Sequence, residues 1–506
     1  MRYQKSLEAR EAGPTGPILV VGGGIGGLAL AVGLARAGRE VTLFDNDALT
    51  LATDADAAFV APRRGAPQVR QSHGLLARLT SELRQRFPDV LDDLFAAGAT
   101  ELPLTGEMAD TQPDDDELAV LLVRRTTLEW VLRRAAHAEP GITIRGGDRV
   151  TGVVCSVPES TGTDAGATPR RVDPDVRSVP VVTGIQLASG DVVRGSAVIA
   201  STGRRSAIPE WLAAIDVEVP EEVHDTNLIY LTRWYQLPRG AILDLEPKLA
   251  GDLGFVKFLA IPCDGDKLSI TIAVPAKDKD LRAFLLEPEA FDATAARLPG
   301  PNTIFEQHAL TPISEVEPLS GLINRIRRFV DDEGRPTVLG FHAIGDAHTC
   351  TNPFYGRGCS LALIQSGLLI DAFAEQDEPA ARATQYESGA IRETEPWFEH
   401  SVEMDRMLKV GGPAVPDLVD AETAAQQEQA RADAARGMQA VMVAGATDPV
   451  IGRAFLRVFN MLLKPADLGR DPEFLGRVAE VLANPDAYPI PELEGPTREE
   501  LLPLSA

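Results

Sequence analysis

The sequence is short of cysteine, of positive charge and of long hydrophobic runs, and each shortage removes a class of protein. Its four cysteines (Cys155, Cys263, Cys350 and Cys359) include no CxxC pair. They are too sparse for a disulfide scaffold, so a reducing, cytoplasmic location is expected. With 49 Lys and Arg against 74 Asp and Glu, the formal net charge is -25. Such a surface repels nucleic acid and anionic membranes, and neither is an expected partner. The most apolar windows, 18–34 and 361–370, are short or broken by glycine, so no stable membrane insertion is expected. Residues 1–16 lack the apolar segment of a signal peptide and read as a disordered extension. There is no internal repeat, and none of the seven histidines has metal-ligand spacing with a third partner. His342 and His348 come nearest to a motif, and both are expected to be structural. At 506 residues the chain exceeds what one core usually supports, so two or three packed domains are expected.

What the chain does have is glycine in two distant places. Gly22-Gly23-Gly24-Ile25-Gly26-Gly27 follows an apolar strand over 18–21 and opens a helix that Gly38 ends. A second strand over 40–44 then stops at Asp45. Gly22 permits a tight turn, Gly24 lets the backbone approach a pyrophosphate, and Gly27 lets the helix lie close on the strand. Phosphates at that helix N-terminus meet free N–H groups and the positive end of the dipole. Asp45, about 20 residues on, is placed to accept hydrogen bonds from a ribose and would repel a 2′-phosphate, which favours FAD or NAD over NADP. The second place is Gly345-Asp346, delivered by a strand over 337–341 and followed by Asn352-Pro353-Phe354-Tyr355-Gly356-Arg357-Gly358 and an apolar helix over 359–373. Either stretch alone is weak evidence. Together they point to one dinucleotide, FAD, wrapped by both.

Between these turns, Arg63-Arg64-Gly65-Ala66-Pro67-Gln68 and Arg70-Gln71-Ser72-His73 form a polar connection before a helix over 75–86. An acidic loop over 105–117 and a strand over 120–123 lead to a helix from Arg125. Strands over 150–154, 181–187 and 192–200 alternate like a β-meander, interrupted by a Pro- and Gly-rich loop over 156–180 and ended by the turn Ser201-Thr202-Gly203-Arg204. Long alternating strands over 227–237, 254–261 and 267–274 then read as antiparallel sheet, the last two joined by Asp264-Gly265-Asp266. The expected architecture is α/β. It comprises a Rossmann-like FAD-binding domain over 17–224 and 311–375, an inserted antiparallel β-sheet substrate domain over 225–310, and a C-terminal helical region over 376–506. In the first long strand, alternation puts Tyr230, Thr232 and Trp234 on one face and Leu231, Arg233 and Tyr235 on the other. One face must meet the pocket, and the sequence does not say which. Tyr230, Thr232, Trp234 and Phe255 are the substrate candidates, and with Phe258 nearby they suit an apolar ligand.

These motifs, with Arg125 before Leu128-Glu129 and the Thr202-Gly203-Arg204 turn, resemble the class A flavoprotein monooxygenase superfamily, the para-hydroxybenzoate hydroxylase-like FAD fold, over about residues 17–375. Arg64-Gly65-Ala66-Pro67-Gln68, His73 and Asn352-Pro353-Phe354-Tyr355-Gly356 bring the likeness closest to polyether-type flavin epoxidases and their bacterial relatives. The resemblance implies that Gly22, Gly24 and Gly27 hold the pyrophosphate, Asp45 the adenosine ribose, and Arg125 the ribityl-pyrophosphate region. Gly345-Asp346 would meet the ribityl hydroxyls or a pyrophosphate water, and Pro353 the flavin ring. The N–H groups around Gly356, Arg357 and Gly358 would face flavin N1 and O2, and Arg64 also joins the cofactor set. The superfamily commonly has an Asp-Gly pair where this chain has Ser201-Thr202-Gly203, and no second dinucleotide turn is present. The electron source is therefore either NAD(P)H or a separate flavin reductase.

The implied reaction is hydroxylation or epoxidation of an apolar small molecule by O₂ through a flavin C4a-hydroperoxide. The flavin carries that chemistry, so no catalytic side chain and no metal are required. An FAD-dependent reductase working by hydride transfer, as in prenyl reductases, is the alternative, and a non-catalytic protein keeping the fold is a further one. A flavin halogenase is disfavoured, because Trp130, Trp211, Trp234 and Trp397 are all isolated and leave no Trp-x-Trp pair.

Overall fold

The computed structural model describes residues 16–106, 108, 110–156, 179–243, 249–407, 436–489 and 493–502. The extension expected over 1–16 and the loop over 156–180 lie almost wholly outside the described residues. Five short strands, Ile18–Val21, Val41–Asp45, Ile142–Gly146, Ala197–Ala200 and Phe341–Ala343, make a parallel sheet in the spatial order 341–343, 197–200, 18–21, 41–45, 142–146. Ile18–Val21 and Ala197–Ala200 are buried along their whole length, as strands covered on both faces must be. Helices Ile25–Arg36, Arg125–Ala138 and Gly358–Glu375 close one apolar core against the sheet. A three-stranded sheet, Val150–Ser156, Val181–Leu187 and Val192–Arg194, closes a second core on the other face with Trp211. Gly358–Glu375 is the one described helix long and apolar enough to cross a membrane, and 61% of it is buried inside the protein.

The meander differs from the expectation in one respect. Residues 192–200 are two strands, because Ala197–Ala200 leaves the meander and inserts into the parallel sheet between 18–21 and 341–343. The crossing point is Gly195, where a Cβ would lie 2.5 Å from the Pro17 carbonyl oxygen. Likewise the strand expected over 337–341 joins the parallel sheet only at Phe341, since Leu339 is still bonded to the meander through Val182 N and Pro180 O.

The long alternating strands form a separate antiparallel sheet from Leu228–Gln236, Lys257–Cys263 and Lys267–Pro275, with Ala250–Asp252 at one edge. Thr311–Pro312 and Glu317–Leu319 also pair with Leu228–Gln236, so this sheet continues past residue 310. Helices Lys279–Leu285, Pro288–Ala295 and Pro301–Gln307 cover the face that carries Leu231 and Tyr235. They begin on strong start signals, an Asp278 side chain accepting from Leu281 N and prolines in the first turn of the other two.

The turn between the last two long strands locks this sheet to the half built on the parallel sheet. Asp264 Oδ1 accepts from Arg124 N at 2.6 Å, and Asp264 Oδ2 accepts from Arg124 Nη2 at 2.6 Å and from Thr127 Oγ1 at 2.8 Å. The helix Arg125–Ala138 is thus capped by a carboxylate from another sheet instead of by its own flanking residue. Beyond residue 375 the described residues are mostly helical: Pro379–Met407 packs on Gly358–Glu375, while Pro449–Phe459 and Pro472–Ala483 pack on each other. The latter two start at Asp448 and Asp471, whose side chains accept from backbone N–H groups of the first turn. The tail then returns to the antiparallel unit, with Leu493 and Leu502 against its core and Arg498 bound to Asp278 at 2.7 Å.

Candidate cofactor and substrate site

Ile25 of the first glycine turn and Tyr355 of the second line the same cavity, of about 2240 Å³. That exceeds the ~300–1,000 Å³ of an ordinary small-molecule site, so there is room for a dinucleotide and a second ligand. Each glycine of the first turn is required for a different reason. Gly22 has a positive φ of 111°, and a Cβ there would sit 2.2 Å from the Ser201 carbonyl oxygen. At Gly27 a Cβ would lie 1.9 Å from the Gly22 oxygen, so the helix could not approach its own strand. At Gly24 a Cβ would meet nothing within 4 Å, and the residue borders the cavity.

Asp45 also borders the cavity and is held rigidly. Its Oδ2 accepts from Gly23 N at 2.7 Å, and its Oδ1 from Asp47 N at 2.7 Å and Arg63 Nη1 at 3.2 Å. Arg63 reaches in because three carboxylates draw it: besides Asp45 it binds Asp47 at 2.7 Å and Glu129 at 2.6 Å. Arg64, assigned to the cofactor set by the resemblance, is left exposed and does not line the cavity; Arg63 does. Arg125 lines the wall; its Nη1 stands in a 3.4 Å ion pair with Glu129 Oε2 but makes no hydrogen bond among the described residues. Asp346 is its counterpart. Burial pushes its carboxyl above the usual range against the pull of Arg204, Arg125 and Arg325, and no described donor bonds its carboxylate. A buried donor that makes no hydrogen bond and a carboxylate without a donor, on one wall beside an open glycine, fit a pyrophosphate and a polyhydroxyl chain.

In the second motif, Gly345 N donates to Gln365 Oε1 at 2.6 Å and Gly345 takes a positive φ of 61°. The turn Pro353–Tyr355 ends at Gly356, whose φ is 67°, and Gly358 begins the buried helix. This turn abuts the connection before the 77–86 helix, since a Cβ on Gly356 would stand 3.1 Å from the Gly74 oxygen. Pro353, Gly356 and Gly358 border the cavity. Arg357 does too, but its guanidinium engages the long helix, bonding Ser401 Oγ at 2.5 Å, Trp397 O at 3.1 Å and His400 Nδ1 at 2.7 Å. Burial pulls its pKa down to about 10.

Of the four substrate candidates, Tyr230 alone lines the cavity, and its hydroxyl donates to Asn352 Oδ1 at 2.8 Å. Thr232 bonds Gln71 and Thr271, and Trp234 Nε1 donates to Arg70 O at 2.6 Å; both tie the sheet to the connection over 59–73. The face of the strand left open by the sequence is therefore the Tyr230 face. Phe255 and Phe258 both pack into the antiparallel core, Phe258 in register with Ile272 and Leu231 on the helix-covered face, while Leu259, in register with Thr271 and Thr232, shares the Tyr230 face and lines the cavity. Two contributors are given no site role by sequence reasoning. One is a C-terminal apolar wall that includes Val441, Met442, Phe455, Phe474 and Val478. One-sided apolar spacing marks those helices, but nothing local says which core they face.

The other is His73, whose Nδ1 lies 2.7 Å from the Gln71 carbonyl oxygen. A carbonyl can only accept, so Nδ1 carries the proton and Nε2 is an acceptor. Burial, and next the Arg125 charge, pull its pKa down to about 3. His342 is also pulled down to about 3 by burial, between the rings of Phe373 and Tyr386, and His400 to about 4 by burial and Arg357. His348 faces Glu387 at 3.4 Å. Neither His342 nor His348 lines the cavity.

A histidine neutral when folded but titrating near 6.5 when unfolded stabilises the fold fully above that pH, and loses this as pH falls toward the folded pKa. Thermal unfolding at about pH 5 should therefore come earlier than at about pH 7.5, with His342→Phe flattening the slope. Identical slopes for parent and variant would contradict the burial of a neutral imidazole.

The FAD dependent oxidoreductase family model matches residues 17–156. Protein Rv3254 of Mycobacterium tuberculosis is 25% identical over 401 residues, 72% of this chain and 74% of that protein. Among solved structures, p-nitrophenol 4-monooxygenase PnpA from Pseudomonas putida superposes with a TM-score of 0.56 at 16% identity, over 89% of this chain and 99% of that one. The flavin-dependent brominase Bmp2 does so with a TM-score of 0.57 at 14% identity, over 92% and 98%. At such identities the likeness is one of fold. Residues 17–156 thus match an FAD-dependent oxidoreductase domain, and the chain has the fold seen in these flavin-dependent structures.

Proposed function

We propose that the protein inserts one oxygen atom from O₂ into an apolar small molecule, by hydroxylation or epoxidation, with FAD lying along the shared cavity. The observation that carries this reading is the continuity of that cavity, from the open Gly24, the Arg125 Nη1 and the half-buried carboxylate of Asp346, past the turn 353–358, into an apolar chamber under the C-terminal helices. Gly22, Gly24 and Gly27 would hold the pyrophosphate with the helix N-terminus at Ile25, and Asp45, braced by Arg63, the ribose. Asp346 and Arg125 would take the ribityl chain and its junction with the phosphates. Bound FAD would bring the electron storage and the reactivity toward dioxygen that no side chain has.

The chain's own part is to bind, orient and keep dry. Backbone N–H groups at the start of Gly358–Glu375, in the 356–358 turn, would stabilise negative charge on a bound reduced flavin. Tyr230 and Leu259 on one side, and the apolar wall including Val441 and Phe455 on the other, would exclude water and favour an apolar substrate. Electrons would come from NAD(P)H or from a partner flavin reductase. All four cysteines are free, which supports a reducing cytoplasm as the working location.

Holoprotein reduced without oxygen and then mixed with O₂ should pass through a transient absorbing species unlike either oxidised or reduced flavin. A direct return to the oxidised spectrum would favour hydride transfer, and a protein unable to bind added FAD would end both readings. Asp45→Ala should lower FAD affinity at least about tenfold, while Asp45→Asn, which can still accept from Gly23 N, should lose less. Dialysis against free FAD with quantification of bound flavin separates the two.

A further inference from the structure

We infer that Asp405, on the last turn of the helix Pro379–Met407, is a positioning residue for the turn 352–358, acting through Asn352 and Tyr355. The inference rests on that turn facing the flavin, and its test reads the bound flavin and not turnover. The turn is short, and its only side-chain cap is Asn352 Oδ1 accepting from Phe354 N at 3.0 Å. What orients the Asn352 amide comes from outside.

Asp405 Oδ1 accepts from Asn352 Nδ2 at 2.8 Å and from the Tyr355 hydroxyl at 2.8 Å. Asp405 Oδ2 accepts from Asn324 Nδ2 at 2.7 Å, which leaves Asn324 Oδ1 to accept from Asn352 N at 2.7 Å. A carboxylate cannot donate, so the amide of Asn352 has one possible orientation, with Oδ1 turned to Phe354 N and to the Tyr230 hydroxyl at 2.8 Å. One side chain therefore fixes both ends of the turn, its entry at Asn352 and its exit at Tyr355. Ser401 and His400, one turn earlier on the same helix, hold Arg357 in the same way. His400 and Met404 of that helix also line the cavity, so the element that shapes the chamber is the element that aims the turn.

Loss of this grip lets the N–H groups of the turn wander, which weakens binding of reduced, negatively charged flavin more than of oxidised flavin. In Asp405→Asn, reduced FAD is expected to lose about tenfold in affinity relative to oxidised FAD, a fall of about 30 mV in midpoint potential for two electrons. The measurement is anaerobic reduction of the holoprotein against a reference dye. Tyr355→Phe removes one bond and no charge, and should shift the potential the same way by less. The double variant should go no further than Asp405→Asn alone, because the two share one interaction. A lowered potential supports positioning. An unchanged potential, or one raised as through-space loss of a negative charge would raise it, overturns it, as does a double variant whose shift is the sum of the two. Should Asp405→Asn fail to fold, Tyr355→Phe decides alone: a lowered potential supports the assignment, and an unchanged or raised one overturns it.

Discussion

Gly24→Val is expected to fold as the parent does and to purify without flavin. Gly24 sits at φ -83° and ψ -174°, extended backbone that a β-branched residue adopts readily, and a Cβ there has no neighbour within 4 Å. The apoprotein should keep its thermal midpoint. The added isopropyl group, however, occupies the space through which a pyrophosphate must approach the helix N-terminus. Overpacking of that kind costs about 3 kcal/mol or more, roughly 150-fold in affinity. Gly27→Val is the contrast, since its Cβ would stand 1.9 Å from the Gly22 oxygen and should prevent folding altogether. Visible absorbance and circular dichroism of the two proteins distinguish these outcomes. A yellow Gly24→Val protein with the parent's flavin content would sink the assignment of this turn to the cofactor.

The second large effect is on stability. Asp264→Ala should lower the free energy of unfolding by about 3–5 kcal/mol, because it leaves the nearly buried guanidinium of Arg124 without its main partner. It also strips the cap from the helix that begins at Arg125. Asp56 remains as a partner for Arg124 at 2.8 Å but is mostly exposed, which places the expectation toward the lower end of that range. Two residues along the same turn, Asp266 has a positive φ of 54°, which asparagine tolerates, so Asp266→Asn should change stability by less than about 0.5 kcal/mol. Urea unfolding of both variants tests this. Equal effects would mean that the turn matters only as a turn.

Much of the site was legible in the sequence, because its key demands are local. A tight turn and a helix pressed on its strand each require glycine at a particular step, and the bare backbone at Gly24 leaves open the space that a phosphate would need. Gly22, Gly24 and Gly27 accordingly meet three different surroundings. The opening strand, the antiparallel hairpin over 257–275 and the helix after Gly356 were likewise readable, since period and turn chemistry decide them.

Elsewhere local reading could not decide. Arg63 and Arg64 are the same residue type in adjacent positions, and only the carboxylates of Asp45, Asp47 and Glu129, brought together by folding, select the first for the cavity. Alternation divided Tyr230 from Leu231, but which face would be open depended on helices 279–307 covering the other. The same holds for Ala197–Ala200, whose sequence suits either sheet and whose place follows from the gap between two other strands.

By itself, then, the sequence determined the turns, the periods and hence the class of fold, because steric demands and hydrophobic repeats act over a few residues. The tertiary structure alone decided which charges face the cavity, that Asp264 caps a helix from another sheet, and that the C-terminal helices wall the chamber and hold the 352–358 turn. Those are contacts between groups far apart in the chain, and burial and ion pairing have no direction until the chain is packed.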